Sequence, residues 1–427
     1  MLRRLALAAA VLVAALAPLA ANAVVSPDNT YGTAGTASIP VQCNQTIRFA
    51  ATAPGRNGLL YAIQECAGGY FRVVNVGNTG KLVATWGTSG HVTIKVPTVC
   101  TDDGGPFLQP APDGTLYVIF MGLGSHGGNQ YLTDTHLCAA HVSATGKVDP
   151  TFGGTGPLRH LDRVSDDPTG YAGSAVDASG RLLLFTYRYS ANSQKAATFI
   201  NRFTTKGPLD PGFSQDGQLA YTWPGQTIVK FAGLIRNDPV IAVAVKNARS
   251  AKTGSFDTAF IRFDSTGHLS SLFSNDGKLL VTSSSLGGQV IGDVTIDPQY
   301  RILYTTSSLG DTTKVSVRRM AGTGVNDAAF NTAAKPILAP KGRVIIDGQR
   351  LSVTGTHYLL SWFISDASMS GYTTGYNANG SRWTAVSTSG TAKVSFEDIA
   401  HDRALGYNYG TTGQPVTSFD ITRSKIQ

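Results

Sequence analysis

Paired carboxylates are the residues of this sequence whose types and spacing could support chemistry. Adjacent acids occur in the segments CTDDGG, SDDPTG and SFEDIA, and a single Asp in IGDVTID aligns with the last pair. These residues are Asp102, Asp103, Asp166, Asp167, Glu397, Asp398 and Asp293. A ring of such oxygens could hold calcium, which takes about six to eight oxygen ligands. Two carboxylates on either side of a glycosidic bond could instead hydrolyse a glycan.

The same acids are also typical of turns. An Asp that follows Ser or Gly caps a turn with its own carboxylate, and this role requires no ligand. The sequence contains no HExxH zinc motif, no GxSxG nucleophile motif and no EF-hand or RTX calcium motif. We therefore predict no cofactor and no catalytic residue. Calcium bound at the acidic loops stays an alternative.

Short strands are the elements that must position these acids. Apolar runs such as TLYVIF (115–120), RLLLFTY (181–187) and YLLSWFI (358–364) are bounded by Gly, Asn, Asp or Pro. Runs of this length and setting are typical of β-strands, and no long segment has the period of an amphipathic helix. We therefore predict an all-β fold.

An aromatic residue recurs along the chain in similar company and at nearly even intervals. Glycines stand four residues after the first five of these anchors, and six residues before five of them. Each interval holds four strand signals, which is the content of a β-propeller blade. The sequence thus predicts a seven-bladed β-propeller of four-stranded blades, with these anchors between neighbouring blades: Tyr31, Trp86, Phe152, Phe213, Phe273, Phe330 and Trp383.

The two ends of the chain predict how the ring closes. The segment YGTAGTASIP (31–40) has the pattern of an outer blade strand and is expected to be the first strand of the domain. The segment PVTSFDITRS (415–424) has the pattern of the strand that precedes an outer strand. The N-terminal strand can therefore complete the C-terminal blade, which leaves no open sheet edge. We expect one domain over residues 24–427.

The N-terminus has the pattern of a secretory signal peptide, residues 1–23. Arg3 and Arg4 precede an apolar run that ends at the small-x-small site Ala21-Asn22-Ala23. Removing its two arginines from the 35 basic residues leaves 33 against 27 acidic ones, a net charge of +6. This bias is too small for a nucleic-acid-binding protein, and no later apolar run could form a transmembrane segment. We expect a secreted or periplasmic protein of undetermined oligomeric state.

Four cysteines lie in the first third of the chain, and none forms a CxxC motif. An even count in an exported protein predicts two disulfides, and the three pairings that four cysteines allow stay open. The placement of the cysteines on the predicted strands favours Cys43–Cys66 and Cys100–Cys138. In each pair, a loop that enters the first strand of a blade meets a later strand of the same blade.

The repeat resembles a known family, the bacterial delta-60 repeat. The family pattern, DG-x-LD-x-x-F-x-x-DG-K with a later DGKI hairpin, is similar to LDPGFSQDGQL (209–219), GHLSSLFSNDGKLL (267–280) and GKVDPTFGGTG (146–156). The hairpin is similar to PDGTLYV (112–118). This resemblance extends over the mature chain and implies a repeat-built propeller domain of exported or cell-envelope proteins. It implies no particular reaction.

These observations predict a secreted, non-enzymatic binding scaffold for a glycan or a protein partner at the cell envelope. The alternative is a polysaccharide hydrolase or lyase with carboxylates at the channel mouth, and a third reading is a structural role in adhesion or a matrix. Convergence of Asp102, Asp166, Asp293 and Asp398 would favour an enzyme or a metal site. Their dispersal into turn hydrogen bonds would favour a scaffold.

Overall fold

A computed structural model describes 25–27, 29–34, 36–40, 50–54, 60–66, 69–96, 100, 103–124, 134–153, 158–160, 169–190, 195–245, 256–286, 289–308, 313–354, 357–364, 371–388, 403–408 and 418–426. The predicted signal peptide, residues 1–23, lies outside these residues. Within them most of the regular structure is strand, and the helices with given bounds are a 3-10 helix (Ser283–Leu286) and α1 (Ala328–Ala333). The prediction of an all-β fold is confirmed.

The strands form seven four-stranded antiparallel sheets within the described residues. The chain opens with β1 (Val25–Pro27) and β2 (Thr36–Pro40). The first sheet then contains β3 (Ala50–Pro54), β4 (Leu60–Cys66), β5 (Tyr70–Val76) and β6 (His91–Lys95). The second contains β7 (Asp103–Pro110), β8 (Leu116–Gly124), β9 (Asp134–Val142) and β10 (Leu158–His160). The third contains β11 (Thr169–Val176), β12 (Leu182–Ser190), β13 (Lys195–Phe203) and β14 (Gln218–Tyr221).

The later sheets repeat this order. The fourth contains β15 (Gln226–Ile235), β16 (Asp238–Val245), β17 (Asp257–Arg262) and β18 (Lys278–Val281). The fifth contains β19 (Gln289–Ile296), β20 (Ile302–Ser308), β21 (Lys314–Met320) and β22 (Ile337–Leu338). The sixth contains β23 (Ile345–Thr354), β24 (His357–Ile364), β25 (Gly371–Asn377) and β26 (Arg382–Thr388). The seventh combines β27 (Arg403–Asn408) and β28 (Ser418–Ile426) with β1 and β2.

The first strand of each sheet contacts the first strand of the next, from β3 through β7, β11, β15 and β19 to β23. We call these six strands the inner strands. Four-stranded antiparallel sheets that follow one another in sequence and meet through their first strands are the arrangement of a β-propeller. From the first to the sixth, each sheet therefore packs against the next one in sequence.

The seventh sheet brings the two ends of the described chain together. Strand β28 pairs with β27 on one side and with β2 on the other, from Thr36 opposite Thr422 to Pro40 opposite Ser418. Strand β1 pairs with the end of β28, from Val25 opposite Ile426 to Pro27 opposite Ser424. The expectation that residues 31–40 form the first strand was therefore wrong. Because β28 is longer than β2, its last residues remain free to pair with a second short strand.

The aromatic anchors fill the seams between successive sheets. Six of them are buried, with at most 3% of their surface exposed: Tyr31, Trp86, Phe152, Phe213, Phe273 and Phe330. Phe152, for example, packs in one cluster with Tyr117 of the second sheet and Leu182 of the third. Five of these anchors precede their outer strand in a turn, where the Gly217 N–H, for instance, donates to the Phe213 carbonyl at 2.7 Å. The prediction that these anchors pack between neighbouring sheets is confirmed.

The glycine that precedes the next anchor by six residues closes the same seam. Gly267 has a φ of +92°, and a Cβ there would lie 3.1 Å from Ser214 N and 3.3 Å from Phe213 Cε2. The Ser214 N–H donates to the carbonyl of Thr266, beside this glycine, at 2.8 Å. The equivalent bonds of other repeats run from Gly32 to Thr79, Gly87 to Thr145 and Ser274 to Thr323. A side chain at this glycine would separate two sheets.

The copies of the repeat at Phe330 and Trp383 lack the turn between the anchor and a glycine four residues later. Phe330 lies on α1, where the Asp327 side chain caps the helix by accepting the Phe330 N–H at 3.0 Å. Ala334 replaces the usual glycine and has a φ of −72°, so the chain makes a helical turn instead of the left-handed one. Trp383 lies within β26, the last strand in the order of its sheet, and its side chain is not described.

The cysteines agree with one predicted pairing. Cys100 and Cys138 form a disulfide with a Cα–Cα distance of 6.0 Å. Cys66 is also disulfide-bonded, while Cys43 lies outside the described residues, so the Cys43–Cys66 pairing stays a prediction. In the part of the chain that the structure describes, no helix is both long and apolar enough to cross a membrane.

Candidate functional site

Asp293 is the predicted site residue whose side chain the structure describes. It lies on β19 where the register shifts between Ile291 and Val294. One Asp293 carboxylate oxygen, Oδ2, accepts the Leu351 N–H of β23 at 2.7 Å, and the Asp293 N–H donates to Thr305 Oγ1 of β20 at 2.7 Å. The register shift thus lets one residue bond to its own sheet and to the next inner strand.

The electrostatic surroundings of Asp293 work in two directions. Burial raises the pKa of its carboxyl, whereas the Leu351 N–H and the charges of Lys230 and Arg350 oppose this shift. Lys230 lies on β15 and Arg350 on β23, the inner strands on either side of β19. A buried carboxyl with a raised pKa could act as a general acid. Here, however, its Oδ2 already accepts the Leu351 N–H, and this hydrogen bond joins β19 to β23.

The other predicted acids are not brought together within the described residues. Asp103 begins β7, but only its backbone is described, and Asp102, Asp166, Asp167, Glu397 and Asp398 lie outside the described ranges. Among the residues that the structure describes, no group of three or more His, Cys, Asp or Glu side chains could hold a metal ion. Convergence of the acids and calcium binding therefore stay predictions.

Two cations beside Asp293 were missed by the sequence reasoning. Arg350 follows the anchor Phe330 at the same spacing at which Asp293 follows the anchor Phe273. An alignment of the repeats on their anchors would therefore have placed these two charges at one position of neighbouring inner strands. Lys230 follows its own anchor, Phe213, at a shorter spacing and lacks this signal.

Buried arginines form a second set of polar residues that the sequence reasoning missed. Arg202, Arg262 and Arg319 precede the anchors Phe213, Phe273 and Phe330 at one constant spacing. The Arg202 Nε donates to Asp210 Oδ2 at 2.8 Å, and its Nη1 donates to a carbonyl in the next sheet, that of Ser265. Arg319 bonds in the same way to Asp327 and to the carbonyl of Ala378. Each arginine therefore ties one sheet to the next.

The same guanidinium groups lie over the anchor rings. The Arg319 Cζ is 4.2 Å from the centroid of Phe330, and the Arg202 Cζ is 4.8 Å from that of Phe213. His141 takes the equivalent place in the second sheet, since it precedes Phe152 at the same spacing. Its Nδ1 lies 3.3 Å from Asp149 Oδ2. These polar side chains, like Asp293, are bonded within the fold.

The sequence matches no protein-family model and no curated protein. Among solved structures, the β-propeller domain of the Trilobed protease from Pyrococcus furiosus is 10% identical, with a TM-score of 0.49 over 89% of this chain and 98% of that domain. An ulvan lyase from a new polysaccharide-lyase family is 10% identical, with a TM-score of 0.46 over 91% and 94% of the two chains. A prolyl endopeptidase is 13% identical, with a TM-score of 0.44 over 91% of this chain, which spans about half of that one, 46%. Resemblances of this strength assign no function.

Proposed function

We propose that the chain is a seven-bladed β-propeller of the delta-60 repeat type whose ring is closed by the N-terminal strands on the C-terminal blade. The chain of contacts through the six inner strands supports this arrangement. The pairing of β2 with β28 supports closure, because it joins the first and last parts of the described chain in one sheet. Exposed edges are removed in this way, as an exported all-β protein requires.

We infer that this ring is a non-enzymatic scaffold, exported by its signal peptide, which binds a glycan or a protein partner at the cell envelope. The observation that carries this inference is the bond from the Leu351 N–H to Asp293 Oδ2. The one candidate acid with a described side chain joins two neighbouring inner strands. A rigid ring held by such bonds presents the loops between its strands to a partner.

Thermal melting of the mature, oxidised protein against a panel of acidic and neutral polysaccharides tests the scaffold function. Each mixture is measured with calcium and with a chelator. We expect at least one polysaccharide class, or a protein captured from the cell envelope and then purified, to raise the melting temperature in a concentration-dependent way. The matched variant, in which Asp102, Asp166 and Asp398 are changed to Asn and Glu397 to Gln, should bind equally well. Loss of binding in this variant would contradict a purely structural role of these acids and make them part of the binding site.

The raised pKa of Asp293 favours a second candidate, a polysaccharide hydrolase or lyase. A carboxyl whose pKa is raised by burial gives up its proton at a higher pH than an exposed one, which suits it to donate a proton to a leaving group. This function requires Asp293→Asn to abolish release of new chain ends from a polysaccharide while the variant remains folded. A variant that releases chain ends at the wild-type rate, or a wild type that releases none, would rule out this use of Asp293.

A further inference from the structure

The outer edge of the fifth sheet carries an excess of positive charge. Between residues 313 and 345 the chain has six basic residues and one acidic residue, Asp327. Asp327 is already bonded to Arg319 at 2.6 Å. Four of the other basic side chains, with Arg382 of β26, form what we call the basic strip, and all five are exposed: Lys314, Lys335, Lys341, Arg343 and Arg382.

Backbone pairing places these side chains along one edge. Lys314 of β21 lies directly opposite Leu338 of β22, which is the outermost strand of its sheet. Lys335 lies just before β22 and Lys341 just after it. Arg382 reaches across from the sixth sheet, where its Nη1 lies 3.4 Å from the Pro336 carbonyl. An extended chain of about 3.3 Å per residue puts Lys335 and Lys341 up to about 20 Å apart.

Among the residues that the structure describes, no acidic side chain pairs with the lysines of the strip or with Arg343. Basic residues of the fourth sheet differ, since Lys278 of β18 lies 3.8 Å from Asp276 and Arg262 of β17 lies 2.6 Å from Asp238. Four cations on one edge that form no ion pair with the described residues create a positive potential that attracts an anionic partner.

The surface between the cations favours one class of partner. Its large exposed apolar side chains are aliphatic, Leu338 and Val344, with 68% and 42% of their surface exposed. Single-stranded nucleic acids bind where basic side chains alternate with aromatic ones on which bases stack. A peptide that adds a strand needs a longer free edge than β22, which spans the two residues Ile337 and Leu338. A chain of sugars offers both apolar C–H faces and repeated charges.

We propose that the basic strip binds a linear anionic polysaccharide, whose carboxylate or sulfate groups pair with Lys314, Lys335, Lys341, Arg343 and Arg382 while its sugar rings lie on Leu338 and Val344. This inference rests on the proposed scaffold function and names the ligand class and the surface. A polymer fits better than a single small anion, because the cations are distributed along the edge rather than gathered around one point.

Two triple variants of the full mature chain separate the strip from overall charge. The strip variant is Lys335→Gln, Lys341→Gln and Arg343→Gln. The control variant is Lys81→Gln, Lys147→Gln and Lys206→Gln, which are exposed lysines in glycine turns of other repeats. Both lower the net charge by the same amount. All three proteins are titrated with polygalacturonate, dextran sulfate, neutral dextran, duplex DNA and phosphatidylglycerol vesicles.

We expect the wild type to bind polygalacturonate or dextran sulfate, and to bind more weakly when salt is raised from about 0.05 M to about 0.5 M. One exposed charge pair at about 4 Å contributes a factor of about five to affinity in water. The strip variant should therefore bind at least about 10-fold more weakly, and the control variant less than about 3-fold more weakly. Equal melting temperatures of the three proteins exclude a folding defect.

Each remaining outcome overturns the proposal in a different place. Equal weakening in both variants would show that net charge, not the strip, binds the polymer. If neutral dextran also binds, and its binding does not depend on salt, the scaffold function stands. The binding surface is then not the basic strip. Preference for DNA or for vesicles would mean that the partner class is wrong. If no polysaccharide binds the wild type, the strip proposal and the glycan form of the scaffold function both fail, leaving a protein partner.

Discussion

The buried pair Arg202–Asp210 leads to the prediction that a second substitution restores part of the stability lost with the first. The Arg202 side chain is 2% exposed and the Asp210 side chain 12% exposed. Asp210 Oδ2 also accepts Arg181 Nη1 at 2.9 Å, while Arg181 forms a second ion pair with Asp177 at 2.7 Å. Asp210→Asn should leave the buried charge of Arg202 beside a second cation. Removing one partner of a buried pair costs about 3–5 kcal/mol of unfolding free energy.

The opposite deletion should cost less. After Arg202→Met, Asp210 keeps the Arg181 guanidinium and the Gly212 N–H, which lies 2.9 Å from its other oxygen. The loss is then the hydrogen bond to the Ser265 carbonyl and one ion pair, about 1–2 kcal/mol. Adding Arg202→Met to Asp210→Asn removes the uncompensated charge, so the double variant should be about 1–3 kcal/mol more stable than Asp210→Asn alone.

Thermal melting of the four proteins measures this cycle. For a domain of this length the entropy of unfolding is about 0.8 kcal/mol/K, so Asp210→Asn should lower the melting temperature by about 4–6 °C. The exposed pair Lys278–Asp276, with side chains 35% and 60% exposed, is the control, and Asp276→Asn should cost less than about 1 kcal/mol. A double variant less stable than Asp210→Asn would refute the reasoning, because Arg202 would then stabilise the fold without its partner.

The pH dependence of the same variants follows from the pKa of Asp210. Burial would raise this pKa, but the Gly212 N–H and the charges of Arg202 and Arg181 together hold it below its ordinary value. The stabilisation is therefore present above the unfolded pKa of about 3.9 and is lost as the pH falls through the lower folded pKa. The difference between wild type and Asp210→Asn should shrink in this acid range, and a difference that grows there would contradict the assignment.

Three further substitutions test the seams, the disulfide and the inner strands. Gly267→Ala should lower the free energy of unfolding by about 2 kcal/mol or more, and Gly342→Ala by about 1 kcal/mol. Both glycines have a positive φ, but only Gly267 has atoms close to the position of an added Cβ. Equal urea midpoints of the two variants would contradict this difference. Replacing Cys100 and Cys138, which are 38 residues apart, by Ser should cost about 3–4 kcal/mol; a reductant that destabilises the wild type less than this would contradict it. Burial raises the pKa of Asp293, so the wild type should gain stability relative to Asp293→Asn as the pH falls from that raised pKa towards about 3.9; a pH series of urea midpoints that shows the opposite slope would refute it.

The repeat and the strand content could be predicted because both are written locally. An aromatic anchor, a glycine four residues later and alternating apolar residues belong to one blade and recur along the chain. The helix at Phe330 could also have been predicted, because Ala334 occupies the position at which the turn requires glycine. The short strand β1 was missed because its pairing depends on the length of β28, at the far end of the sequence.

The bonds of the candidate site could not be predicted in the same way. Asp293 accepts a backbone N–H from Leu351, 58 residues away, and any residue type except proline supplies such a donor. Arg202 likewise bonds to a backbone carbonyl of the next sheet. The arginine at a constant spacing before three of the anchors was readable from the sequence, but its partner was not. The sequence pattern identifies Asp293 as a candidate, whereas the role of this residue depends on the neighbouring sheet to which it bonds.

The most direct test of the scaffold is light scattering during size-exclusion chromatography of the mature protein mixed with polygalacturonate or dextran sulfate. This measurement reports both binding and the length of the polysaccharide. We expect the protein to co-elute with a polymer whose mass stays unchanged after prolonged incubation. Polymer that becomes shorter would contradict a non-enzymatic scaffold, and protein that elutes separately from an intact polymer would contradict binding to anionic glycans.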